Sequence, residues 1–209
     1  GRREEGTKEM EAARGEFEAA GDPASLARVL NDLAVDTIQV GDLERAEALL
    51  EGALAATRAA SPTNTGATFL SNLANLALLR GRPEAAESRY RETVAIFRQL
   101  GRPGREAMAR EGLGGALWEM GRAEEAMVEL DQALELERSQ PQDPGLASRL
   151  HTRAVIRLER GIATEAAGDA DEIEQLTRTT GLAYGLALAD DLRGRLALVR
   201  GDSAAGIAR

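Results

Sequence analysis

The sequence predicts an all-α solenoid in which antiparallel helix pairs follow one another every 40 residues. Three observations predict it. Glycine stands at 41, 81, 121, 161 and 201, and again at the half-period points 21, 101 and 181, with Ser61 and Pro141 in the two remaining half-period slots. Strict recurrence at such a period is the signature of one supersecondary unit copied along the chain. Between these markers apolar residues recur at helical spacing. All six prolines, at 23, 62, 83, 103, 141 and 144, fall in turns or first helical turns, where a missing N–H costs little.

Residues 4–20, with Met10, Ala13 and Phe17, read as the second helix of a pair whose first helix is absent. Segment 24–40 places Leu26, Val29, Leu30, Leu33, Ala34 and Ile38 on one face, and Gly41 follows as a left-handed cap. Segment 43–59 repeats the pattern with Leu43, Ala46, Leu49, Leu50, Ala53 and Leu54. First helices are then predicted at 64–80, 104–120, 145–160 and 182–200, and second helices at 84–100, 123–138 and 163–179. The longest expected loop is Ser139–Pro144, and residues 203–209 begin a further second helix. The expected organisation is a single array over 1–209. Residues 1–20 are an incomplete repeat, 21–60, 61–100, 101–140 and 141–180 are full repeats, and 181–209 is incomplete again. Both ends cut through a repeat, so the chain reads as part of a longer array, and the cut ends offer surfaces for self-association.

Composition narrows the function classes. Hydrophobic residues make up 43% of the chain but aromatics only 3%, so the core must be built from Leu, Ala, Val and Ile. Absence of cysteine removes disulfides, thiolate metal sites and cysteine nucleophiles. A formal net charge of −9 disfavours nucleic acid and anionic membranes as partners. No run of 18 apolar residues is present, and Gly1-Arg2-Arg3-Glu4-Glu5 lacks a signal-peptide core, so the expected location is cytoplasmic. The Ala, Gly and Arg usage suits a GC-rich bacterial source. Neither a Gly-x-x-x-x-Gly-Lys-Ser/Thr phosphate loop nor a His-Glu-x-x-His or Gly-x-Ser-x-Gly motif occurs. The expectation is therefore a protein that is not an enzyme and carries no cofactor or metal.

The segments Leu30-Asn31-Asp32-Leu33-Ala34, Gly41-Asp42-Leu43, Ala46 and Leu50 recur as Leu70-Ser71-Asn72-Leu73-Ala74, Gly81-Arg82-Pro83, Ala86 and Tyr90, and as Leu113-Gly114, Leu117, Gly121-Arg122-Ala123, Ala126 and Leu130. This pattern resembles the tetratricopeptide repeat (TPR). It is weaker in the fourth unit, where Arg153 and Glu174 occupy slots expected to be apolar, and in the fifth, where Asp190 and Arg193 do so. The repeat is longer than the family's usual 34 residues, similar to kinesin light chains and to arrays in bacterial signalling proteins such as STAND-type ATPase regulators. The resemblance implies a right-handed superhelix with first helices on its concave face.

On that face the candidate partner-binding residues are Asn31, Asn72, Asn75, Glu111, Trp118 and His151. An Asn amide offers both a donor and an acceptor and can satisfy an extended peptide backbone, or it can bond a neighbouring helix instead. Trp118, the one tryptophan, fits an anchor or ordinary inter-repeat packing. His151, the one histidine, makes no metal cluster by itself. Tyr90 and Tyr184 read as core or inter-repeat contacts. Asp32, Asp36, Glu111, Glu119, Glu159 and Asp191 either make the groove acidic or are solvated helix positions. The small run Gly112-Leu113-Gly114-Gly115 reads as close helix packing. The expected function is a noncatalytic module that receives a protein or peptide segment in its groove, as scaffold or sensor of a larger bacterial signalling protein. The alternative is a small-molecule or peptide-signal receptor that controls an attached effector.

Overall fold

The computed structural model describes residues 2–57, 63–138, 145–181 and 183–201. Ser61, Pro62, the Ser139–Pro144 loop and residues 203–209 lie outside them. Among the described residues all regular structure is α-helical: α1 Arg2–Ala20, α2 Pro23–Gln39, α3 Leu43–Thr57, α4 Asn64–Leu79, α5 Pro83–Gln99, α6 Pro103–Glu119, α7 Ala123–Arg138, α8 Gly145–Glu159, α9 Ala163–Thr180 and α10 Ala183–Val199. Every helix expected within the described residues is present, with ends within two residues of the expected ones. Pro23, Pro83 and Pro103 each open a helix, where the fixed φ suits the first turn.

The chain divides into two compact units, Gly1–Arg102 and Pro103–Arg209. In the first, α1 to α5 pack each on the next. Its core joins Ala27, Leu30, Leu33 and Ala34 of α2 to Ala46, Leu49, Leu50 and Ala53 of α3 and to Phe69, Leu73 and Leu76 of α4. Asp22 caps α2 by accepting from the N–H groups of Ala24 and Ser25, both at 3.1 Å. The Ser25 hydrogen bonds hold the Asp22 carboxyl below its ordinary pKa. Thr63 caps α4 by accepting from the Gly66 N–H at 3.0 Å.

In the second unit α6 to α10 again pack in sequence, and the first helices also meet, α6 with α8 and α8 with α10. One core cluster joins Leu146, Leu150, Ala154 and Leu158 of α8 to Ala166, Ala170 and Ile173 of α9 and to Ala189, Leu192 and Leu196 of α10. Tyr184 departs from expectation. It is exposed, although it stands in the first turn of α10 in line with Leu188, Leu192 and Leu196 of the core.

The glycine ladder is a ladder of helix stops. The eight ladder glycines, from Gly21 to Gly201, all have φ between +61° and +84°. At the end of α6 the Gly121 N–H donates to the Trp118 carbonyl at 2.8 Å and the Arg122 N–H to the Leu117 carbonyl at 2.9 Å. The second bond is the 6→1 closure of a Schellman cap, which needs a left-handed residue at 121. Gly121→Val is expected to cost at least about 1 kcal/mol, read as a lower urea midpoint, because a β-branched residue is strained at φ +74°.

Candidate partner-binding face

On α2 the exposed residues Arg28, Asp32, Val35 and Gln39 follow at i, i+4, i+7 and i+11 and so form one stripe. The equivalent positions of α4, 40 residues on, are Thr68, Asn72, Asn75 and Leu79; Asn75 and Leu79 are exposed, and Thr68 and Asn72 are half-buried. Two side-chain bonds orient the amides of this face. The Asn72 Nδ2 donates to Asn31 Oδ1 at 2.7 Å, tying α4 to α2, and Asn31 Nδ2 makes a long 3.4 Å bond to Asp32 Oδ1. The buried Tyr90 of α5 donates its hydroxyl to Asn75 Oδ1. With those atoms engaged, Asn72 keeps its carbonyl oxygen and Asn75 its NH₂ group for an outside partner. These are one acceptor and one donor three residues apart on a single helix face, a separation of about 5–6 Å.

In the second unit Glu111 and His151 sit at one register position, ten residues past the half-period points 101 and 141, and each reaches the next first helix. Glu111 accepts from Ser148 Oγ at 3.0 Å and lies 3.4 Å from Arg149 Nε. His151 Nε2 lies 2.8 Å from Asp191 Oδ2, which also accepts from Arg195 at 2.8 Å. Burial pushes the Asp191 carboxyl up, but the bonds from His151 and Arg195 outweigh it and hold it below its ordinary pKa. Trp118 is half-buried beside the fully buried Leu117, and Met108, three turns earlier on α6, is exposed. Among the acidic candidates, Asp36 accepts from Thr7 at 2.7 Å, and Glu111 and Asp191 are engaged as above. Asp32, Glu119 and Glu159 are exposed.

One feature escaped the sequence pattern. Beneath the second unit's surface lies a set of buried ion pairs with no counterpart among the described residues of the first unit, whose buried polar residues are Thr37 and Thr93. Arg153 donates to Asp131 and to Asp169, each at 2.6 Å, and Arg157 donates to Asp169 at 2.6 Å. Burial pulls the Arg153 pKa down, but bonds to Asp169 and Asp131 more than offset it, so the guanidinium stays charged. Arg149 pairs with Glu137, both almost wholly buried. The sequence marks one member only: Arg153 replaces the leucine found at 33, 73 and 113, and nothing in the spacing names Asp169 as its partner. Among the described residues no cluster of three His, Asp or Glu side chains could hold a metal ion, and no helix is long and apolar enough to cross a membrane.

Comparisons with known proteins agree with this architecture. The family described as tetratricopeptide repeat matches residues 25–99. Among solved structures, BtubC (BKLC) from P. vanneervenii is similar at a TM-score of 0.83 and 20% identity, covering 100% of this chain and 88% of that one. Aspartyl phosphate phosphatase F from Bacillus subtilis is similar at a TM-score of 0.83 and 14% identity, covering 95% of this chain and 52% of that one. A Rap protein complexed with Competence and Sporulation Factor is similar at a TM-score of 0.81 and 15% identity, covering 97% of this chain and 56% of that one. This chain thus spans about half the length of the latter two. No curated protein matches it. At these identities the likeness is one of fold. Residues 25–99 thus match the tetratricopeptide-repeat family, and the chain as a whole shares the all-α fold of these solved structures.

Proposed function

We propose that the chain is a noncatalytic protein-binding module and that the α2–α4 face takes an extended peptide segment. The observation that carries this is the pair of pre-oriented amides. Asn31 and Tyr90 hold Asn72 and Asn75 so that an acceptor and a donor stand ready for the N–H and C=O of one peptide unit. Fixing them in advance lowers the ordering cost of binding. The exposed Val35 and Leu79 flank the pair and offer apolar contacts for alternate side chains. In the second unit Trp118, Glu111 and His151 are the proposed contacts. The setting we propose is cytoplasmic, as the scaffold or sensor region of a larger bacterial signalling protein.

A second reading, a receptor whose bound signal controls an attached effector, draws on one observation. The Rap protein of similar fold was crystallised with Competence and Sporulation Factor.

Both are tested by selecting a displayed random-peptide library on the full chain and measuring the enriched peptides by calorimetry. Asn72→Ala combined with Asn75→Ala is expected to weaken binding by about 10- to 100-fold, two hydrogen bonds at roughly 1 kcal/mol each or somewhat more. Helicity should not change. Full affinity in the double variant would remove the amides from the site.

A further inference from the structure

Asp32 differs from its neighbours on the α2–α4 face. Its carboxylate is exposed, and among the described residues its one donor is Asn31 Nδ2 at a long 3.4 Å. The polar groups around it are turned elsewhere. Arg28, one turn earlier on α2, donates to Ser25 Oγ at 3.2 Å. On α4, Thr68 and Ser71 return their hydroxyls to the carbonyls of Asn64 and Ala67, at 2.9 and 3.2 Å. The Asn72 NH₂ group goes to Asn31, and α4 carries no charged residue. Asp36, the other carboxylate of α2, is satisfied by a 2.7 Å bond from Thr7.

A segment gripped by the two amides is led to Asp32. The N–H and C=O of a trans peptide unit point to opposite sides of the chain. Asn72 and Asn75 are separated along the axis of α4, so a segment held between them crosses the helix instead of following it. The Asn72–Asn31 bond places α2 beside α4, and the positions 40 residues before 72 and 75 are Asp32 and Val35. The segment therefore passes over that pair. Helices about 8–10 Å apart are spanned by two or three extended residues at about 3.3 Å each.

We propose that a lysine or arginine of the bound segment, two or three residues from the peptide unit held by Asn72 and Asn75, lays its alkyl stem on Val35 and its cationic head on Asp32. This rests on the α2–α4 face taking an extended peptide, and it adds the class of segment, a basic one. Val35 is 43% exposed and stands three residues from Asp32 on the same side of α2, about 5–6 Å away, which matches a side chain with an apolar body and a charged tip. A segment laid over the face strips water from the Asp32 carboxylate, and a 3.4 Å amide contact does not replace it. A cationic head does replace it, through a charge-assisted hydrogen bond. An aliphatic side chain in that place leaves the carboxylate unpaired, and an acidic one is repelled. The net charge of −9 also draws cationic segments toward the chain.

The test uses a displayed random-peptide library on the full chain, with the enriched peptides resynthesised. N-methylation along the peptide locates the gripped unit, since binding is lost where Asn72 needs an N–H. Lysine or arginine should be enriched two or three residues from it. By calorimetry, Asp32→Asn is expected to weaken binding by about 3- to 10-fold, and so is replacing the peptide's basic residue with norleucine, which keeps the stem and drops the charge. The two changes together should cost no more than either alone. Additive losses, or no basic position among peptides that depend on Asn72 and Asn75, would overturn the Asp32 contact and leave the amides in the site. Peptides indifferent to Asn72→Ala with Asn75→Ala would overturn both.

Discussion

Asp169→Ala is expected to destabilise the protein by about 3 kcal/mol, the cost of stranding a buried charge. Asp169 is nearly inaccessible and holds two guanidinium groups, those of Arg153 and Arg157, at 2.6 Å. Neither arginine can shed its proton to relieve the loss. Arg153 would keep only Asp131, whose side chain is 55% exposed. The measurement is urea unfolding, which adds no ionic screening of its own, and a melting temperature about 6–12 °C lower is the thermal equivalent for a chain of this size. The companion variant removes the buried pair and leaves only the less buried Arg157 without its carboxylate. Arg153→Leu with Asp169→Leu restores the leucine that α2, α4 and α6 carry at this slot, and its stability should fall within roughly 1 kcal/mol of the parent. A loss under about 1 kcal/mol for Asp169→Ala would mean that water reaches the pair.

Two neighbouring glycines of α6 are expected to respond with opposite signs. A Cβ on Gly114 would stand 3.0 Å from Leu130 Cγ and 3.2 Å from the Ala126 carbonyl oxygen. Backbone cannot swing aside as a side chain can, so Gly114→Val should cost about 2–3 kcal/mol by overpacking. A Cβ on Gly115 meets nothing within 4 Å. Gly115→Ala should therefore stabilise by about 0.5–1 kcal/mol, the helix-propensity gain. Melting curves of the two variants decide the matter; a stabilised Gly114→Val would mean that α6 and α7 are not held at this distance.

The same pair shows how far the sequence could be read. The small run 112–115 pointed to close helix packing, which holds at Gly114 and fails at Gly115, because one residue turns a helix by about 100° and so moves the side chain off the contact face. Helix boundaries were legible because glycine and proline act through local backbone geometry, at Gly121 and Pro103 alike. The buried ion pairs were not, because Arg153 and Asp169 are 16 residues apart and their pairing depends on how α8 lies on α9. Among the candidate site residues, Asn31 and Asn72 were found on one face but not their bond to each other. The outward orientation of Asn75 depends on Tyr90, a residue expected only to fill the core. Tyr184 was misplaced because spacing carries the Leu188, Leu192 and Leu196 row through it but does not say whether the first turn is covered.

Helices built on one apolar pattern in tandem invite mispairing during folding, since first helices share the same type of apolar stripe. The bonds between successive first helices guard against it by differing in chemistry. An amide meets an amide between Asn31 and Asn72, a carboxylate meets a hydroxyl between Glu111 and Ser148, and an imidazole meets a carboxylate between His151 and Asp191. A helix docked one place out of order would leave such groups facing leucine or glycine, unpaired and desolvated. These three seams thus work as addresses suited to the correct neighbour, written in the residues that a search for ligand contacts singles out first.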